Sequence, residues 1–328
     1  MSTVIAISLG AFSLPYASLC IRSLAENLDG DEAIHLLTDT TGDQEQLQQA
    51  FAGLGKIKVR LSDELWEDGG NPMQRYAGLD KLRKGHPCWR KLTDPMLLAR
   101  EGDEVVVVDP DVYFPRRFSF ERVGDGTLRL MWQKPSCLLP FSVVETAFAK
   151  GIAMADHVDI GIAQYRSPLD LEWLDWLVES LGEMPRVMHV EAILWSCLAM
   201  RMGGGYLDSD RWRCWANTQW KRVLQKAGAT PARMLSAEDF RSCLAFHAGG
   251  TAKTWLGAPG VEEALKQSSG LPGGKPLRPA TVRPFVPFTK EKFEWLRKRG
   301  RILNAMGYYK LLGGRPPGMK QERSSIAR

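Results

Sequence analysis

Along the chain, short apolar runs alternate with longer stretches in which apolar residues return every three or four positions. The short runs predict strands at Val4 to Ser8, Ala33 to Thr38, Lys56 to Arg60, Glu104 to Asp109, Leu128 to Trp132 and Val158 to Ala163. The longer stretches predict helices. "YASLCIRSLAENL" sets Leu19, Ile21, Leu24 and Leu28 near one another, and "PLDLEWLDWLVESLG", from Pro168, puts Trp173, Trp176, Leu177 and Leu181 on one stripe. "VEAILWSCLAMRMGGG" is a third helix, stopped at Gly203 to Gly205. Strands alternating with helices in this way belong to an α/β domain with a mostly parallel sheet flanked by helices. "EVVVV" is apolar at every position, so it is expected at the centre of that sheet with both faces covered.

After Gly257 the pattern changes. "GLPGGKPLRPATVRPFVPF", from Gly270, is dense in Pro and Gly and reads as an extended connector. Beyond it "TKEKFEWLRKRGRILNAMGYYKLL" reads as a basic helix, and "GGRPPGMKQERSSIAR" as a disordered tail. The chain therefore divides into a main body over 1–260, a connector over 261–289 and a basic C-terminal extension over 290–328.

Composition changes this picture only in places. With 328 residues, 44% hydrophobic and 25% charged, the chain can bury a sizeable core, which excludes disorder throughout. "MSTVIAISLGAFSLP" has no basic stretch ahead of it and no small-residue cleavage site behind it, so a first strand is expected rather than a signal peptide. No run approaches the roughly 18 apolar residues of a membrane-spanning helix. Cys20, Cys88, Cys137, Cys197, Cys214 and Cys243 form no CxxC pair and are expected to be reduced thiols of a cytoplasmic protein.

The net charge of +5 is concentrated at one end. Lys290 to Arg328 holds eleven Lys and Arg against three Glu, leaving 32 basic and 35 acidic side chains elsewhere. A mildly acidic body with a basic tail argues against a nucleic-acid binder and for a local contact with phosphates or an anionic membrane surface. Phe293, Leu296, Leu303 and Met306 with Arg297, Lys298, Arg299 and Arg301 would suit an interfacial helix; a helix packed on the body with a solvated face is the plainer reading.

Candidate chemistry begins where the valine strand ends. Asp109 and Asp111 stand at its carboxyl end, where open α/β sheets bind ligands. An isolated Asp-x-Asp fits a turn as well as a site; as a site, two adjacent carboxylates would hold a divalent cation. "CLAFHAGGTAKTWL" adds His247, then Gly249 and Gly250, which let backbone N–H groups approach an anion, then Lys253, a point charge suited to phosphate. One His with two Asp favours Mn2+ over Mg2+. Together the two stretches describe a site for a metal-bound diphosphate.

"VVVVDPDVYF", with "HAGGTAKTW" beginning 136 residues after Asp111, resembles the GT-A glycosyltransferases, most closely glycosyltransferase family 8 with its Asp-x-Asp strand and late HxxGxxKPW. His247, Gly250, Lys253 and Trp255 match that late motif in spacing. "CWRKLTDPMLL" is similar to the basic helix leading into the Asp-x-Asp strand, "HVDIGIAQY" to the family's Asn-x-Gly strand, and "HVEAILW" to its Asp-Gln stretch. The resemblance implies a GT-A fold and a nucleotide-diphosphate sugar donor, commonly UDP-linked. It implies a Mn2+ ion (or Mg2+) on Asp109, Asp111 and His247, phosphates at Gly249, Gly250 and Lys253, with Arg90 or Lys91 contributing, and Asp159 and Glu191 near the sugar.

It further implies transfer with retained anomeric configuration to a glycan, lipid-linked or protein acceptor, in surface or extracellular glycan synthesis; the cysteines and the basic tail, apart from the resemblance, suit a cytoplasmic enzyme, peripheral to the inner face of the membrane on the interfacial-helix reading. The sequence departs from the family at "SLGAFSLP" in place of Asp-Asp-Asn, at Asp159 for Asn, at Val190 and Glu191 for Asp-Gln, and at Thr254 for the Pro of KPW. These departures motivate a rival, a nucleotide-sugar binder or scaffold without catalysis. A second rival, a haloacid-dehalogenase-like phosphatase, shares a strand ending in Asp-x-Asp, but usually carries it near the start of the chain and lacks the late motif.

Overall fold

The computed structural model describes residues 2–68, 70–240, 242–269 and 281–312. Eleven strands are present: β1 Thr3–Ser8, β2 Ile34–Thr38, β3 Ile57–Leu61, β4 Glu104–Val108, β5 Val112–Tyr113, β6 Leu128–Trp132, β7 Val158–Arg166, β8 Gly204–Tyr206, β9 Trp212–Cys214, β10 Ala245–His247 and β11 Arg283–Pro284. Eight of them form one sheet in the order β11-β8-β6-β7-β4-β1-β2-β3, and three form a small sheet, β5-β10-β9. In the large sheet β7 and β11 run against the other six. The expected mixed, mostly parallel α/β architecture is what forms.

The alternation of side chains explains why β4 is apolar throughout. Val105 and Val107 enter a core shared with the helices Ala77–Arg83, Phe141–Ala149, Leu171–Leu181 and Val190–Met202. Val106 and Val108 enter a second core on the opposite face, with Ile21, Leu24 and Leu47 from the helices Leu14–Asn27 and Thr41–Ala50. Four valines in a row thus serve two layers, two to each. Both sheet neighbours are tightly registered, Ile5 of β1 opposite Val106 and Ala163 of β7 opposite Val107.

Strand order reverses at β1: the chain moves outward through β2 and β3, then returns to place β4 on the other side. Such a reversal opens a crevice at the carboxyl ends of β1 and β4. Immediately past β4 the chain leaves the large sheet as β5 and pairs with β10, putting His247 opposite Val112; β9 pairs on the far side of β10, putting Cys214 opposite His247. A third core fills the space behind this small sheet, from Tyr113, Phe240 and Phe246 to Leu235, Ala252 and Leu265.

Several expectations are corrected. On the helix Leu171–Leu181 the buried set is Leu174, Leu177, Val178 and Leu181, because this aliphatic row closes on the core. Trp173 and Trp176 are left at the rim, their rings 6.0 Å apart. The segment before β4 is two short 3-10 turns, Pro87–Leu92 and Asp94–Leu98, each with Pro near its start, rather than a longer helix.

The expectation of a structureless connector over 261–289 is corrected in part. Val261–Ser269 is a helix with Val261 and Leu265 buried, because the Pro and Gly that suggested a connector begin only at Gly270. Residues 283–284 add β11 to the sheet, and Phe288 packs in the core with Phe293 of the helix Lys290–Ala305. Residues 270–280 and the tail expected to be disordered, 313–328, lie outside the described residues. All six cysteines are unpaired, and no helix among the described residues is long and apolar enough to cross a membrane.

Candidate active site

Asp109 and Asp111 follow β4 directly, with Pro110 between them, and β5 then holds the chain against β10. This brings the His247 imidazole onto the carboxylates: Nε2 lies 3.7 Å from Asp109 Oδ2 and 3.5 Å from Asp111 Oδ1. One ligand atom from each of the three residues falls within 4.8 Å of the others. Asp111 Oδ1 is buried and has no hydrogen-bond partner. Its contact with His247 Nε2, at 3.5 Å, is an ion pair without hydrogen-bond geometry, and a buried carboxylate oxygen held so loosely suits a cation as its partner. The donor set, two carboxylates and one imidazole nitrogen, fits a Mn2+-sized divalent ion.

The other face of the imidazole is fixed from behind. His247 Nδ1 lies 2.7 Å from Asp159 Oδ1 and donates to it, and the same oxygen accepts the Gly161 N–H at 2.9 Å. With Nδ1–H committed to a carboxylate, Nε2 is the nitrogen aimed at Asp109 and Asp111, the arrangement in which a second carboxylate orients a ligating histidine. The approach depends on Gly161, since a Cβ there would sit 2.6 Å from His247 Cγ and Nδ1. Its place in the strand is irregular as well: β6–β7 pairing jumps from Leu130 opposite Ala163 to Met131 opposite Asp159, so β7 bulges between them. The Gly161 carbonyl accepts the Asp109 N–H at 2.9 Å, tying the bulge to the Asp-x-Asp turn.

The electrostatics follow from this packing. Burial disfavours the charged form of His247, but Asp159 and Asp111 outweigh it and hold its pKa well above the ordinary value. Burial likewise opposes ionisation of Asp111, yet His247, Lys253 and Lys91 keep its carboxyl far below the usual range; for Asp159 too, burial opposes ionisation but His247 lowers the pKa. Without a cation the imidazolium fills that role itself.

Lys253 Nζ stands 3.5 Å from Asp111 Oδ2 and 4.6 Å above the Tyr16 ring, partly exposed. Gly249 flanks the imidazole, where a Cβ would come within 3.4 Å of Cε1. Gly250 has φ +65°, a left-handed turn with no contact near its missing side chain, and it starts the short helix Thr251–Trp255. Phe12, in the loop after β1, is 82% exposed.

Other candidates are placed differently from expectation. Asp159 stands behind His247, buried, with its carboxylate against the imidazole. Glu191, on the helix Val190–Met202, is buried beneath Lys91, whose Nζ lies 2.8 Å from Glu191 Oε1 and 2.5 Å from Asp109 Oδ1. Burial pushes the Glu191 carboxyl up to about 8, Lys91 opposing and Asp109 reinforcing the rise. Lys91 is thus a buried cation locked to the first Asp rather than a free phosphate contact. Arg90 turns away to Asp39 at 2.7 Å and to Asp63 at 3.4 Å.

Sequence reading missed Gly161, Tyr16 and Cys214; the last joins Asp159 and His247 in a second group whose ligand atoms also lie within 4.8 Å. A glycine inside the apolar run "DIGIAQY" was the available signal for the bulge.

No protein-family model and no curated protein matches the sequence. Solved structures are similar in outline. Mouse xyloside xylosyltransferase 1 is 9% identical, covering 77% of this chain and 99% of that one, with a TM-score of 0.48. The galactosyltransferase LgtC, solved with donor and acceptor sugar analogues, is 15% identical over 83% of this chain and 97% of its own, at 0.44. The glycosyltransferase GlyE of Streptococcus pneumoniae is 11% identical over 81% of this chain and 63% of its own, at 0.46. These are likenesses of overall form; the chemistry is carried by the residues described above.

Proposed function

We propose that the chain is a metal-dependent glycosyltransferase that takes a sugar from a nucleoside-diphosphate donor, UDP-linked by preference. The observation that carries this reading is the convergence of Asp109, Asp111, His247 and Lys253 at the carboxyl end of β4, with Asp111 Oδ1 buried and held only by a long ion pair to the imidazole. Asp109, Asp111 and His247 Nε2 would hold a divalent ion, Mn2+ or Mg2+, which when bound supplies Lewis-acid stabilisation to a diphosphate leaving group.

The chain's own residues account for the rest. Breaking the bond from the anomeric carbon to the diphosphate oxygen leaves the electron pair on phosphate and oxocarbenium character on the sugar. Lys253, 3.5 Å from Asp111 and partly exposed, donates to phosphate oxygens as that charge develops. Gly249 and Gly250 offer backbone where a side chain would stand between it and the anion. Asp159 keeps the His247 Nδ1 proton in place, and Lys91 with Glu191 holds Asp109. Retention of configuration, and a glycan, lipid-linked or protein acceptor, belong to the same proposal.

The test is turnover of a panel of radiolabelled nucleotide-sugars with Mn2+, comparing the natural chain with Asp111→Asn. That substitution keeps the shape and removes the charge, and loss of such a stabilising group is expected to slow transfer by about 10²–10³-fold. A second reading, a nucleotide-sugar binder without turnover, is favoured by the burial of Asp159 and Glu191 and the closure of Lys91 on Asp109. Thermal stabilisation by donor and Mn2+ with no transfer or hydrolysis across the panel would select it.

A further inference from the structure

We infer that the helices Gln219–Lys226, Lys290–Ala305 and Tyr308–Leu312 form one docking face that seats on a bilayer containing anionic lipid. This does not rest on the catalytic reading. Helix Lys290–Ala305 is held to the body by buried Phe293 and Gly300, with Leu296 half-buried against the same core. It carries a second apolar row pointing outward, Trp295 and Ile302, continued by Met306 just past its end, with Trp295 56% and Met306 72% exposed. Lys298 and Arg299 flank that row, the Arg299 guanidinium lying 5.3 Å from the Trp295 ring.

Helix Gln219–Lys226 repeats the pattern from a distant part of the chain. It has no buried residue; Trp220 and Val223, three positions apart, are exposed on one side, and the helix's own sequence holds Lys221, Arg222 and Lys226 and no Asp or Glu. The fold joins the two pieces. Helix Tyr308–Leu312, with Leu311 exposed, packs on both Gln219–Lys226 and Lys290–Ala305. Indole rings, aliphatic tips and basic side chains are therefore carried on three contiguous helices.

Charge selects the occupant. Lys290 to Leu312 carries seven basic side chains against two acidic ones. Lys292 and Arg297 are engaged with Asp156 and Glu145, and Lys221 with Glu238, but Lys298, Arg301, Lys226 and Lys310 are exposed. A second copy of the same face would meet like charge, whereas anionic headgroups supply the opposite sign and the interface accommodates Trp. An exposed apolar face rimmed by cations is the form an interfacial helix takes.

Co-sedimentation of the full chain with vesicles tests this. Binding is expected to phosphatidylcholine vesicles containing phosphatidylglycerol, not to phosphatidylcholine alone, and salt should release it. The double variant Trp220→Ala, Trp295→Ala should lower apparent affinity roughly tenfold with thermal stability unchanged, since both rings are exposed. Failure of the natural chain to bind the anionic vesicles, or equal binding by the double variant, would overturn the proposal. So would self-association without vesicles that the same two substitutions abolish, which would make the face an interface between copies.

Discussion

Gly161 and Asp159 determine where the His247 imidazole can stand. A methyl group at Gly161 would meet the ring at 2.6 Å and its Asp159 partner at 3.0 Å. Gly161→Ala is therefore expected to cost about 1–3 kcal/mol of stability as overpacking and to displace Nε2 from the carboxylates; urea titration and Mn2+ affinity by calorimetry report the two effects separately. Asp159→Asn keeps the shape but loosens hold of the Nδ1 proton. A 10–100-fold loss of Mn2+ affinity is expected.

Protonation gives a further check at the same scale. The raised His247 pKa means its stabilising contribution in the metal-free chain is complete below its ordinary 6.5 and is lost as pH rises through the raised value. Cation binding needs Nε2 unprotonated, so it strengthens over that same rise. The increase in Tm produced by Mn2+ should grow with pH from acid to alkaline; a constant increment would count against His247 as a ligand.

At the scale of elements, the helix Lys290–Ala305 is held as part of the body. Phe293 is buried against Phe141, Phe148 and Phe288, with ring centroids 5.0, 5.7 and 6.4 Å away. Phe293→Ala is expected to destabilise the protein by about 3–5 kcal/mol, measured by chemical denaturation. The sequence made the strands and main helices legible because their periodicity is local, and β4 legible because a fully apolar run has few other places in a sheet. The cluster of Asp109, Asp111 and His247 was legible as residue types at the end of apolar runs. The role of Asp159 was not, because its partner lies 88 residues away and only the β7 bulge brings them together. Lys91 misled for the same reason: a basic side chain in a short turn says nothing of the two carboxylates it will be buried between.

Across the whole molecule, β4 couples the layers, with alternate valines in different cores and both neighbouring strands in register. Near-UV and far-UV circular dichroism should therefore report one coincident thermal transition, and separated midpoints would show that the layers melt independently. The small sheet has a consequence of another kind. Pairing of His247 with Val112 means that the site depends on counting residues as much as on having them. One residue inserted between Asp111 and Val112 would preserve both motifs, but a slip of one position along β10 turns Phe246 or Ala248 to the face the imidazole now occupies. Such a chain would pass any inspection of its motifs and bind no ion.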